Sequence, residues 1–190
     1  MFIIYDDLCS NFEADHIITS EKLYVSNCSI DFNRIFHLAY YYNNYKFFKY
    51  LLKIKRVNLK ALKNDPIEIS CMQGYYKIAK YLLTKFTLKI DPSSNYNFPI
   101  RIACVGGHYK IVKLLLKDNR VDPSVHNNIS IRMASKNGHL KIVKYLLKDK
   151  RVDPSDNNNE ALELAIESGH PKIFKLLLKH VKSKLNLELN

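Results

Sequence analysis

The chain repeats one pattern at a spacing of 31 residues. Asp-Pro-Ser begins at positions 91, 122 and 153, and Gly-His begins at positions 107, 138 and 169. Each Gly-His is followed by a run of apolar and lysine residues, such as IVKLLLK. A period of about 20–50 residues indicates stacked units, each of which needs its neighbours to bury its apolar face. The sequence therefore predicts an array that binds with its surface rather than with a pocket.

Alignment on the Gly-His step predicts five units, preceded by an acidic capping segment at 1–27 and followed by a tail at 185–190. The units are 28–57, 58–90, 91–121, 122–152 and 153–184. In each unit the spacing of the apolar residues predicts two short helices, for example Ile129 to Asn137 and Leu140 to Lys148. A left-handed glycine closes the first helix, and a β-type finger turn containing proline follows the second.

An asparagine stands six residues before a small residue in every unit, at Asn33, Asn64, Asn97, Asn128 and Asn159. Asparagine is among the best N-cap residues, so we expect this column to cap each first helix. The alternative is an asparagine in a left-handed turn, a conformation that it tolerates well.

The helix, Gly-His, helix and finger order resembles the ankyrin repeat. The segment at 138–148, GHLKIVKYLLK, is similar to the ankyrin second helix, and the resemblance covers 28–184. The usual Thr-Pro-Leu-His start of the ankyrin repeat is absent; Ile129-Ser130-Ile131-Arg132 stands there in the fourth unit.

The RVDPS linkers resemble those of ankyrin arrays from giant amoeba-infecting DNA viruses (mimivirus-like). The resemblance implies an all-α ankyrin-repeat solenoid of about five helix-turn-helix repeats with short β-type finger loops. It also implies protein binding by a concave face built from finger loops and first helices.

The formal net charge is +12, and residues 1–30 carry five acids against one lysine, so the rest is strongly basic. A field of that sign favours acidic partners. The four cysteines show no paired spacing, so we expect buried, reduced thiols in an intracellular protein. No signal peptide or membrane span is predicted, and we expect a cytoplasmic protein, in the host cytoplasm if it is viral.

No catalytic or metal-binding constellation is evident, and we predict no enzyme activity and no cofactor. The three Gly-His histidines, His108, His139 and His170, repeat at the period of the array. Equivalent atoms in stacked repeats lie about 8–10 Å apart, too far to share one zinc ion. We expect each histidine to start a second helix and to bond locally.

Positions on the predicted concave face change from unit to unit, unlike the repeated positions. They are basic in the third and fourth units and acidic in the fifth, a polarity that would orient a bound partner. We expect a monomer that binds a protein of the host or the virus. The candidate contacts are Tyr96, Arg101, Val105, His126, Arg132, Lys136, Asn157, Glu163 and Glu167.

Lysines recur on the second helices, which face the convex side of such arrays. They are Lys110, Lys113, Lys117, Lys141, Lys144, Lys148, Lys172 and Lys175, continued by Lys179 and, in the first two units, by Lys46, Lys49, Lys53, Lys77 and Lys80. The alternative function is binding of nucleic acid or another anionic surface by this basic band. A purely solubilising surface gives the same pattern.

Overall fold

A computed structural model describes residues 32–53, 66–87 and 89–188, and these contain ten helices and no strand. They divide into two compact units, one ending at Pro66 and one beginning at Ile67. The first unit contains α1 (Phe32–Tyr41) and α2 (Tyr45–Lys53). The remaining helices are α3 (Pro66–Gln73), α4 (Tyr76–Lys85), α5 (Ser94–Val105), α6 (Tyr109–Leu115), α7 (Val125–Lys136), α8 (Leu140–Leu146), α9 (Asp156–Glu167) and α10 (Pro171–Glu188). The capping segment predicted at 1–27 lies outside the described residues.

In the first unit, α1 and α2 pack through aromatic side chains. The rings of Phe36 and Phe48 are buried and stack with their centroids 4.7 Å apart. Asn43 has φ 55° between the helices, so it ends α1 as the glycines do elsewhere. The N–H of Phe47 donates to Oδ1 of Asn44 over 3.1 Å, which caps α2.

The second unit is a stack of helix pairs in two layers. First helices α5, α7 and α9 pack side by side, and second helices α4, α6, α8 and α10 form the other layer. The two layers enclose a continuous apolar core. Its members include Ile67, Ile100, Ile131 and Leu162 from first helices and Ile78, Ile111, Ile142 and Ile173 from second helices. The predicted all-α repeat solenoid is confirmed.

Most details predicted for a single repeat agree with the structure. The right-handed part of α7 begins at Ile129, because the three residues before it have positive φ. α8 ends at Leu146, two residues earlier than predicted. α10 runs to Glu188 and so continues into the tail predicted at 185–190. Cys71 and Cys104 are buried free thiols, as expected; the other two cysteines lie outside the described residues.

A histidine joins each of the last three repeats to the one before it. Nε2 of His139 lies 2.9 Å from the carbonyl oxygen of Val105, 34 residues earlier, so this nitrogen carries the proton and donates it. His108 and His170 make the same bond to the carbonyls of Met72 and Lys136 over 3.0 Å. The expectation of a local bond is therefore wrong: the first turn of a second helix places the ring against the preceding repeat.

The glycine column is needed for the same contact. Gly107 and Gly138 have φ of 75°, which only glycine adopts without strain. A Cβ at Gly107 would lie 2.6 Å from Cε1 of His139, and one at Gly138 would lie 2.6 Å from Cε1 of His170. The glycine thus closes its own helix and leaves room for the next repeat's imidazole.

The prediction that the asparagine column caps the first helices is wrong for the described repeats. Asn97, Asn128 and Asn159 have φ of 59°, 57° and 63°, the left-handed alternative. From this conformation the side chain reaches the next finger: Oδ1 of Asn97 accepts from the N–H of Asp122 over 2.8 Å. In the same way, Oδ1 of Asn128 accepts a hydrogen bond from the backbone N–H of Asp153 over 3.0 Å. The column therefore joins repeats; Asn64 and the side chain of Asn33 lie outside the described residues.

An Asp-Arg pair, which the sequence analysis did not identify, makes a third contact between repeats. Arg151 binds Asp149 through two nitrogens, over 2.9 and 2.7 Å, while its Nη1 donates to the Val121 carbonyl over 2.9 Å. Arg120 and Asp118 repeat this arrangement one unit earlier. The hydrogen bond from the arginine side chain holds the pKa of each aspartate below its usual range.

We predict that Gly107→Ala destabilises the protein more than Gly169→Ala does. Both glycines have positive φ, and each alanine costs about 1–2 kcal/mol for that reason. Only at Gly107 does the new methyl also meet a histidine ring, which adds about 1–3 kcal/mol; nothing lies within 4 Å at Gly169. Urea unfolding of both variants measures the difference, and equal losses would contradict this account of the glycine column.

Candidate functional site

Each finger begins with a turn made by Asp-Pro-Ser. Oδ1 of Asp122 accepts hydrogen bonds from the N–H of Ser124 over 2.9 Å and from its hydroxyl over 2.6 Å. The pairs Asp91–Ser93 and Asp153–Ser155 make the same two bonds. The side-chain oxygen replaces a backbone acceptor, and this fixes the direction in which the finger leaves the second helix.

Three consecutive left-handed residues follow each turn, at 95–97, 126–128 and 157–159, with φ between 50° and 63°. Seven of these nine residues are asparagine, the residue other than glycine that enters this region most readily. The third residue turns toward the next repeat, while the first two are exposed at the finger tip in all three repeats. The finger tips therefore present Asn95, Tyr96, His126, Asn127, Asn157 and Asn158 to solvent.

Arginines from the first helices hold the left-handed backbone in place. Nη1 of Arg132 donates to the carbonyls of His126 and Asn127 over 3.0 and 3.2 Å. Arg101 donates in the same way to the carbonyl of Tyr96 over 3.2 Å. Both arginines are half-buried, and Nη2 of Arg132 also pairs with Glu160 over 2.8 Å. These two candidate contacts thus have a structural role within the array, and their role in partner binding stays a prediction.

The fifth repeat replaces this arginine by Glu163, which is exposed. Its finger is held instead by Nδ2 of Asn157, which donates to Glu160. Partial burial raises the pKa of Glu160, but the hydrogen bonds from Asn157 and Arg132 outweigh it and leave the pKa below its usual range. Glu163 and Glu167 remain as exposed acids at this end of the face.

The last turn of the first helices adds a row of exposed side chains at equivalent positions. Met72 is 44% and Val105 is 38% exposed, and Lys136 and Glu167 are exposed as well. We call this row together with the finger tips and Glu163 the first-helix face. Met72 was missed because its repeat is degenerate; its position two residues before the glycine column could have identified it.

Tyr96 and His126 form one aromatic patch on the first-helix face. Tyr96 is 78% exposed, and its ring meets that of His126 edge-on with centroids 5.8 Å apart. The structure thus brings Tyr96, His126, Asn157, Val105, Lys136, Glu163 and Glu167 onto one face and draws Arg101 and Arg132 below it.

The predicted basic band lies on the other layer. All eight of its lysines are exposed, on α6, α8 and α10 or within two residues of their ends. Nζ of Lys148 lies 5.9 Å from the centre of the Tyr145 ring.

No group of three or more His, Cys, Asp or Glu side chains suited to a metal occurs among the described residues. No helix within the described ranges is long and apolar enough to cross a membrane.

Comparison with protein families agrees with this geometry. The model for ankyrin repeats, in three copies, matches residues 36–127 and 100–188. The chain belongs to the ankyrin-repeat family. No curated protein matches it. Ankyrin repeats generally mediate protein–protein interaction and are generally non-catalytic scaffolds. The resemblance read from the Gly-His columns is thereby confirmed at the level of the family.

We predict that Arg132→Gln destabilises the protein by about 1–3 kcal/mol, because two carbonyls and Glu160 each lose a charged donor. Lys136→Gln is the matched control, since it removes the same charge from an exposed position of the same helix. Its stability should change by less than about 0.5 kcal/mol. Urea unfolding compares the two variants, and equal midpoints would exclude a structural role for Arg132.

A second prediction concerns pH. The folded-state pKa of Glu160 is depressed, so its contribution to stability is present above the unfolded-state value of about 4.3 and is lost as pH falls through the folded value. Wild type should therefore be more stable than Glu160→Gln from neutral pH down to about 5, and the difference should shrink as pH falls below the unfolded-state value. Urea unfolding at a series of pH values tests this, and a difference that does not vary with pH would contradict it.

Proposed function

We propose that the chain is a non-catalytic scaffold that binds a partner protein with the first-helix face, the face expected to be concave. The observation that carries this proposal is that the positions joining repeats and the exposed positions beside them differ in how much they vary. The asparagine, glycine and histidine positions that join repeats are the same in the last three repeats. Among the exposed positions beside them, the row in the last turn of the first helices differs in every repeat and the finger tips differ in part, as a recognition surface requires.

The first-helix face also suggests the chemistry of the partner. Met72 and Val105 offer apolar contact, and Tyr96 offers a large ring that can be buried at low cost in side-chain entropy. Lys136 follows, and then the acids Glu163 and Glu167, so charge changes sign along the row. A complementary partner would carry an acidic group opposite Lys136 and a basic group opposite the fifth repeat.

Three further expectations belong to this proposal. The partner is a host or viral protein, the chain acts as a monomer in the cytoplasm, and its source is a virus of the kind whose arrays its linkers resemble.

We predict that Lys136→Glu weakens capture of the partner by about tenfold or more, because it juxtaposes like charges. The matched control is Lys144→Glu, which makes the same charge change in the same repeat on the second-helix layer. Affinity purification from the native cell type, quantified by mass spectrometry, compares both variants with wild type. Partners lost equally with both variants, or with neither, would contradict binding by the first-helix face.

A further inference from the structure

The second helices of the second unit, with the residues that follow them, carry exposed lysines at three repeating positions, of which the α4 repeat has Thr84 at the third. Eleven lysines fall in these columns, and all are exposed. They are Lys77 and Lys80 from α4, Lys110, Lys113 and Lys117 from the α6 repeat, Lys141, Lys144 and Lys148 from the α8 repeat, and Lys172, Lys175 and Lys179 from α10. We call these eleven residues the lysine face.

Nothing on the lysine face compensates this charge. Helices α4, α6 and α8 and residues 171–183 contain no aspartate or glutamate. The nearest acids in sequence, Asp118 and Asp149, are bound by two nitrogens each of Arg120 and Arg151. None of the eleven lysines forms an ion pair within the part of the chain that the structure describes. The face therefore presents an uninterrupted positive field.

The spacing of these charges suits a phosphate backbone. Lysines three and seven residues apart lie about 4.5 and 10.5 Å apart along a helix, at about 1.5 Å per residue. Neighbouring second helices pack about 8–10 Å apart, so four of them extend the lattice over about 24–30 Å. Duplex DNA carries about one negative charge per 1.7 Å of its axis, so a short duplex lying across the helices meets many lysines at once.

We propose that the lysine face binds the backbone of double-stranded nucleic acid without sequence preference. Lysine provides point charges and not the planar fork with which arginine reads guanine, so the face has no means of reading bases. The tyrosines of this layer are half-buried, and Tyr109 and Tyr145 meet edge-on at 5.8 Å, so they are not free to stack on unpaired bases.

An anionic membrane fits the lysine face less well. Surface-binding helices combine basic residues with exposed apolar side chains that enter the bilayer. Among the described side chains of the second unit, the exposed large apolar ones are Met72, Tyr96, Val105 and Ile166, all on first helices or fingers. The lysine face has none among its described residues, so its binding energy comes from phosphate contacts alone.

The test is fluorescence anisotropy with a labelled duplex of about 20 base pairs and an equal-length single strand, from about 50 to 200 mM NaCl. Duplex affinity should fall with a log–log salt slope of about −4 or steeper, as for four or more phosphate contacts. Lys110→Gln/Lys113→Gln/Lys141→Gln/Lys144→Gln should bind at least about tenfold more weakly at about 100 mM salt and flatten the slope by about 2–4.

The matched control removes the same charge from exposed lysines outside the columns, as Lys85→Gln/Lys89→Gln/Lys136→Gln/Lys150→Gln. It should keep duplex affinity within about threefold. Equal losses in both quadruple variants, or no duplex binding at about 50 mM salt, would overturn the proposal. Tighter binding of the single strand, or binding only to vesicles of about 30% phosphatidylserine, would overturn it as well. Thermal unfolding by circular dichroism establishes that both variants are folded.

Discussion

The contact between a histidine and the glycine of the preceding repeat is the one on which the stacking of repeats in the second unit depends. The imidazole occupies the space that a Cβ at Gly138 would fill, and Nε2 satisfies the Lys136 carbonyl at the end of a first helix. One residue pair thus ends a helix, starts another and sets the register between repeats. In the fifth repeat, no atom lies near a Cβ at Gly169 and Asn159 is exposed, so these columns make contacts between repeats only where a neighbour follows.

The left-handed fingers at the edge of the stack are likewise held by contacts with other parts of the array. Three consecutive residues at positive φ are unfavourable by themselves, since each costs about 1–2 kcal/mol for a residue with a Cβ. Arg132 and Arg101 offset part of that cost by donating to the carbonyls that this backbone turns outward. A shared finger conformation is thereby kept while its outermost side chains differ in part between repeats.

The sequence was sufficient for what depends on periodicity and insufficient for what depends on contacts between repeats. Spacing predicted the helices, the glycine ends and the outward lysines. It could not show whether the constant asparagine served its own helix or the next finger, because both roles require the same residue. Arg101 and Arg132 looked like surface variation because the fifth repeat has Glu163 there; only the geometry revealed the carbonyls of residues 95–96 and 126–127 beneath them.

Repetition has opposite consequences for the two layers of the second unit. On the second helices the exposed lysine positions recur, so like charges accumulate into a field that any polyanion meets in the same way. On the first helices the bonds between repeats occupy the constant positions, and Met72, Val105, Lys136 and Glu167 differ at one equivalent position. A repeated surface can supply affinity but cannot distinguish partners, whereas a varied one can. On this argument, the proposed protein partner would be selected by the first-helix face, and the proposed nucleic-acid binding would be the general electrostatic attraction of the lysine face.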